Sequence, residues 1–358
     1  MSPIEIGILG ILALSVLLLL RVHVGIALIA AAVIGSSLLT SPGLSLETLG
    51  GDIVGITRNF NLSAIPLFIL MERMLKTSVS SLRLPVLLIA YAFLSGGYIA
   101  PMLISGILPA ALVAALLFTV FYFLSKTRST PVPEAFAAFL PFKLRAFLKA
   151  MIVPAIYIVS LGGIFFGFFN PTQAGAVGSA LAIIYALSSG RLDKRGIGES
   201  FLDAAKSAAP VFIMLIGGSL FGLFMSRSLI HITLIRFIAG LGLPTFFVIM
   251  LILLLYAAIG LVTDHLAGLV LLTPIIFPVV RSLGYNGVVF GVLAIIALMA
   301  ARAPQLGLAQ SSNDDSAGMQ DGGAAVASRL PVVAAFAIAG LMTLGIPAIA
   351  TLLPRMMF

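Results

Sequence analysis

Asp264 and His265 stand side by side between two apolar runs, after Gly260-Leu261-Val262-Thr263 and before a stretch that reaches Thr273-Pro274. An ionisable side chain in hydrocarbon costs roughly 3 kcal/mol on insertion scales. Such a pair therefore marks either a helix break beside a polar cavity or a solvated turn at the membrane surface, and the residues fit both. Two uncharged groupings offer related chemistry. Asn170-Pro171-Thr172-Gln173 and Gly217-Gly218-Ser219 combine amide and hydroxyl side chains with glycine-exposed backbone, the means of lining a solute path. The plainer reading of the glycines, with Gly162-Gly163, Gly167, Gly175, Gly178 and Gly222, is close packing, since small residues let transmembrane backbones approach. Glu72 and Arg73 close a short apolar run and read as a helix end at the interface with snorkelling side chains. His23, His231 and Arg236 read as interfacial too.

Bond-making chemistry finds less support. A serine-hydrolase elbow needs Gly-x-Ser-x-Gly, and Gly217-Gly218-Ser219-Leu220-Phe221 has Phe where the second Gly belongs. There is no His-Glu-x-x-His pair and no phosphate-binding glycine loop with Lys, and the whole chain holds three His and no Cys. Disulfides, thiolate metal sites and cysteine nucleophiles are thereby excluded. The chain reads as a non-enzyme with no cofactor. An intramembrane hydrolase using Ser219 and His265 is the third alternative.

The elements that must position these residues follow from composition. Of 358 residues 61% are apolar and 9% charged, against about a quarter charged in soluble domains. A bilayer core of about 30 Å takes roughly 20 apolar residues per helical crossing, and runs such as 6–20 and 248–261 match the cores of such spans. Within lipid the backbone must satisfy its own polar groups, which selects helices. A β-barrel would alternate polar and apolar residues, whereas these runs are apolar on every face. The net charge of +8 does not point to nucleic acid, because most of the cations flank apolar runs, where they anchor helix ends and set orientation. Residues 1–20 lack a preceding basic group and a small-residue cleavage site, so they read as a retained first helix.

Apolar runs place spans near 3–21, 24–40, 62–76, 84–97 and 102–124, then near 150–169, 172–188, 207–226, 244–263, 266–283, 286–301 and 330–353. This is an all-α polytopic membrane protein of about 10–12 hydrophobic helices. Residues 1–124 form an N-terminal transmembrane half, 125–149 a basic cytoplasmic linker with Lys126, Arg128, Lys143, Arg145 and Lys149, and 150–358 a C-terminal half. Residues 46–60 read as an interfacial helix. The polar stretch 303–329, with Asp314, Asp315 and Asp321 and no Lys, reads as a flexible loop. Ile65-Pro66-Leu67-Phe68 and Thr273-Pro274-Ile275-Ile276 are Pro-broken helices in the two halves, a weak hint of the inverted repeats common in secondary transporters.

From Val153 onward the sequence resembles the large, DctM-like membrane subunit of tripartite ATP-independent periplasmic (TRAP) transporters. The resemblance is carried by Gly162-Gly163-Ile164, Asn170-Pro171-Thr172-Gln173-Ala174-Gly175-Ala176-Val177, Gly260, Asp264, Leu272-Thr273-Pro274-Ile275, Pro278, Leu283-Gly284 and Phe290-Gly291-Val292. In the first half Ile65 to Met71 and Gly106-Ile107-Leu108-Pro109 also fit. Gln173 stands where the family usually has Glu. The resemblance implies an ion-transporter-like inverted-repeat architecture in the bacterial or archaeal inner (plasma) membrane. It implies sodium-coupled uptake of an organic acid, a C4-dicarboxylate-like carboxylate, delivered by a periplasmic solute-binding protein and shared with a small four-helix, DctQ-like subunit. Asn170, Thr172, Gln173, Ser219, Asp264, Thr273, Ala303, Pro304 and Gly307 are then the expected substrate or ion path, with Na+ near Ala303, Pro304 and Gly307.

Two departures qualify this. Thr77-Ser78-Val79-Ser80-Ser81 runs almost directly into Leu84, where the family's first re-entrant hairpin is expected, so the first half is incomplete. Ala303-Pro304-Gln305-Leu306-Gly307 stands for the second hairpin tip, usually Thr-Pro-Pro-x-Gly. Broken-helix tips supply the oxygens that hold sodium, and Arg302 beside this tip would repel the ion unless paired with a carboxylate. The alternative function is therefore a degenerate, non-transporting membrane subunit of the same family.

Overall fold

The computed structural model describes residues 2–40, 42–75, 84–127, 144–190, 193–302 and 322–357. The described residues are helical throughout, joined by short turns. In chain order they are α1 (Pro3–Leu19), α2 (Val24–Leu39), α3 (Pro42–Thr57), a 3-10 turn (Phe60–Ser63), α4 (Ala64–Leu75), α5 (Leu84–Leu94), α6 (Ile99–Ser105) and α7 (Ile107–Thr127). The second series is α8 (Leu144–Phe165), α9 (Pro171–Ser188), α10 (Lys194–Arg227), α11 (Ile230–Gly240), α12 (Thr245–Val262), α13 (His265–Ser282), α14 (Gly287–Arg302), α15 (Gly322–Gly345) and α16 (Ala348–Met357).

Local sequence explains several boundaries. Ser2 accepts from the Glu5 amide while the Glu5 carboxylate takes the Ser2 amide, with Pro3 in the first helical position, so two orphan donors of α1 are satisfied at once. Asp193 caps α10 by accepting from Gly196 at 2.8 Å. The turn after α8 closes at Gly167, whose φ of +76° a side chain would resist.

Every apolar run anticipated from sequence is helical. Among the described residues four segments are long and apolar enough to cross a membrane: Ile99–Val120, Arg195–Arg227, Thr245–Val262 and His265–Ser282. Two bent pairs add to these: Gly43–Thr57 with Phe60–Leu75 at 54°, and Pro331–Gly345 with Ala348–Met357 at 60°. The interfacial helix expected at 46–60 is α3, and it forms the first arm of the former pair. The expected span at 330–353 is broken between Gly345 and Ala348. Helix α15 begins at Gly322, inside the stretch read as a loop, while 303–321 and most of the basic linker lie outside the described residues. The chain is an all-α, multi-pass membrane protein.

Helix α10 organises the packing. Its 34 residues extend about 51 Å. Its midsection lies against α2 so closely that a Cβ on Gly217 would stand 2.5 Å from the Gly25 carbonyl oxygen. About two turns beyond, the Phe224 ring sits between Gly10 of α1 and Gly35 of α2. Without a hydrophobic drive between helices in lipid, this backbone-level contact and its dispersion energy hold the pair. On the other side α10 meets α4, α5 and α13. Glu72 of α4, expected at an interface, is instead buried (5% exposed), because α4 turns this face toward neighbouring helices. Its neighbour Arg73 reaches outward and donates to Ser207 of α10 at 3.0 Å.

Candidate functional site

A cavity of about 480 Å³ opens between α3, the end of α5, α10 and α13. Its wall on α3 is Gly51, Asp52, Gly55 and Ile56, continued by Asn59 at the following turn. These positions fall on one helical face by their spacing. A Cβ built on Gly51 or Gly55 meets no atom within 4 Å, so both positions adjoin open space. The opposite wall is Gly218, Ser219, Gly222 and Leu223 of α10 with Thr273, Pro274, Phe277 and Pro278 of α13.

Asp52 is the only formally charged residue of this lining. Its Oδ2 atom is buried without a hydrogen-bond partner. The nearest cation, Nη2 of Arg227 at the end of α10, is 3.9 Å away, ion-pair range but too far for a hydrogen bond. An oxygen so enclosed and unpartnered is an exception among buried polar groups. Asn59 Oδ1 is occupied, accepting from the Asn61 amide at 3.1 Å. The Thr273 hydroxyl donates to Leu269 and lies 3.4 Å from the Tyr256 hydroxyl. Thr273 therefore shapes the wall, whereas Ser219, half-buried, lines the space from α10.

The second polar region lies at the ends of α12, α13 and α14. Thr263 and Asp264 are extended, with ψ of 164° and 154°, which breaks the chain between α12 and α13. Asp264 occupies the N-cap position without capping, its carboxylate 60% exposed and 3.8 Å from His265 Nδ1. The His265 side chain is mostly buried, and its Nε2 has no partner. Arg302, ending α14, donates its Nε–H to the Gly260 carbonyl at 3.3 Å. In the turn between α13 and α14, burial pushes the Tyr285 phenol up from its ordinary value.

Of the residues anticipated from sequence, Ser219 and Thr273 share the cavity, and Asp264 lies at the break. Asn170 and Gln173 form a capping box at the start of α9, each side-chain oxygen taking the other's amide at 2.8 and 2.9 Å. Thr172 is 3.2 Å from the Ser63 hydroxyl and ties α9 to the 3-10 turn. These three stand away from the cavity, next to a smaller apolar pocket of about 400 Å³ lined by Tyr98, Pro101 and Pro171. Ala303, Pro304 and Gly307 lie outside the described residues, as does the segment 76–83 where the first hairpin was expected. Sequence reading missed Asp52 and the α3 glycines, whose signal was the single-face spacing 51, 52, 55, 56 and 59. No cluster of three acidic or imidazole groups is found among the described residues.

Residues 84–310, which include α5, α10 and α13, match the family described as tripartite ATP-independent periplasmic transporter, DctM component. The sialic acid TRAP transporter large permease protein SiaM of Vibrio cholerae is 31% identical over 229 residues, 62% of this chain and 52% of the relative. The C4-dicarboxylate TRAP transporter large permease protein DctM of Pseudomonas aeruginosa is 22% identical over 278 residues, 75% of this chain and 63% of the relative. The isethionate TRAP transporter permease protein DctMQ of Oleidesulfovibrio alaskensis is 27% identical over 215 residues, 59% of this chain and 33% of the relative. The chain spans about half the length of the curated relatives it matches.

Proposed function

The chain belongs to the DctM component family of tripartite ATP-independent periplasmic transporters, and from this we propose that it is the large permease subunit that carries an organic acid across the inner membrane. The observation that carries the reading is the family match itself, because it takes in three of the four helices that wall the cavity. Relatives carry names for sialic acid, isethionate and C4-dicarboxylate. Their shared chemistry is a small organic anion, and that is the substrate class proposed here. A small membrane subunit and a periplasmic binding protein are the partners, and a sodium gradient is the driving force. The relatives are transporter permease subunits, and the chain is not an enzyme. Ser219 lines the cavity while His265 does not, so the pair needed for a hydrolase is not assembled there.

Reconstitution with its small subunit and binding protein tests the proposal. Uptake of a labelled organic acid should follow an inward sodium gradient and stop when choline replaces sodium. Uptake that is indifferent to sodium rejects the coupling, and none with any delivered acid rejects the transport.

One observation favours a second reading, a non-transporting subunit. Only eight residues separate Leu75 from Leu84, too few for a hairpin of two helices at about 3.6 residues per turn. Under this reading the reconstituted complex assembles but moves no solute.

A further inference from the structure

We propose that Arg302 is a built-in cation for the C-terminal end of α12, occupying by a tethered guanidinium the place where a free monovalent cation would otherwise bind. A helix ends with four carbonyls that lack intrahelical donors, and their aligned dipoles amount to roughly half a negative charge. Helix ends of this kind, met by a chain break, are where membrane transporters attract cations. At α12 two of these carbonyls have donors. The Ile259 carbonyl takes the Thr263 amide at 2.8 Å and the Thr263 hydroxyl at 2.9 Å. The next carbonyl, Gly260, takes Arg302 Nε–H.

That contact depends on how closely α12 and α14 approach. A Cβ on Gly260 would lie 3.1 Å from the Ala301 Cβ and 3.2 Å from the Leu298 carbonyl oxygen. Only the bare backbone lets α14 come near enough for the guanidinium to reach. Among the described residues no carboxylate lies within 4.0 Å of Arg302. The guanidinium charge is therefore set against the helix end. Arg302 is half-buried, and its guanidinium repels a second cation from the Gly260 carbonyl. In the transport reading proposed above, on which only this clause rests, a coupling sodium ion is bound somewhere other than the end of α12.

The test is the melting temperature of the purified full chain in detergent, in sodium chloride and in choline chloride at equal ionic strength. Arg302→Gln keeps a hydrogen-bond donor but removes the charge. It should gain a sodium-dependent rise of about 2 °C or more beyond that of the unaltered chain. Arg302→Lys, which keeps a charge, should respond as the unaltered chain does. An equal sodium response in Arg302→Gln and the unaltered chain overturns the proposal, and so does a gain in Arg302→Lys matching that of Arg302→Gln. Should Arg302→Gln fail to accumulate, Arg302→Ala is extracted in millimolar guanidinium, in sodium or in choline. Recovery of folded protein in the first two but not in choline supports the tethered cation, and any other pattern overturns it. Melting is read without transport, so a permease inactive in uptake would leave this result standing.

Discussion

The two polar regions of α13 are built on opposite plans. At its start, beside Asp264 and His265, glycine brings helices together: Gly260 lets α14 close onto α12, and Arg302 seals the contact. Nine residues on, at Thr273, about 13 Å along the helix, glycine does both: Gly218 and Gly222 let α10 close onto Val270 and Pro274, whereas across the cavity a Cβ on Gly51 or Gly55 would meet no atom within 4 Å. The charges differ in the same sense. Arg302 is directly bonded, whereas the buried oxygen of Asp52 accepts no hydrogen bond and has its cation at 3.9 Å. The comparison teaches that a glycine in a membrane helix has no fixed meaning, and that what lies opposite decides whether it joins helices or leaves room between them.

The strongest challenge to this contrast is a large side chain at each kind of glycine. Gly260→Leu should destabilise the chain by about 3 kcal/mol, the upper part of the usual overpacking range, seen as a loss of melting temperature and of a monodisperse peak. Gly55→Leu should not lower the melting temperature, since the added side chain enters open space and leucine favours helix over glycine by about 0.8 kcal/mol. It should cut reconstituted uptake at least about tenfold, which corresponds to about 1.4 kcal/mol of barrier. Equal stability losses at the two positions would erase the distinction between a closed junction and an open cavity.

A third measurement separates the cavity from the cap at α9. Asn170→Ala should cost about 1 kcal/mol of stability, the usual value of a lost N-cap, and leave the KM for uptake unchanged. A raised KM with unchanged stability would move Asn170 from the helix start into the solute path. The smallest stability effect is expected at Asp52. The Asp52–Arg227 pair is partly exposed, with 31% and 37% of the two side chains accessible. Asp52→Asn should therefore shift stability by less than about 1 kcal/mol. Uptake of an organic anion at low solute should rise a few-fold, because the one negative group lining the cavity is lost.

Legibility followed the range of the forces involved. The helical runs and the break at Thr263-Asp264 were readable, because each depends on neighbours within a few residues. The family resemblance resting on Thr273-Pro274 and Phe290-Gly291 was readable for the same reason, as ordered local motifs, and the match over residues 84–310 agrees with it. Glu72 was misplaced at an interface because its burial depends on helices distant in sequence that close over α4. Asn170 and Gln173 were assigned to a solute path although their spacing, three residues apart before an apolar run, is also that of a capping box. The structure shows that geometry.

The sequence by itself determined that this chain is a bundle of membrane helices, because apolar runs in lipid have no other way to satisfy their backbone. It also supplied the polar residues scattered along them. Only the tertiary structure decided which of those residues meet. Ser219 joins Asp52 across 167 positions of sequence, and Arg302 reaches the Gly260 carbonyl across 42. Such meetings depend on how closely two helices pack, and that distance is set by side chains on both partners at once.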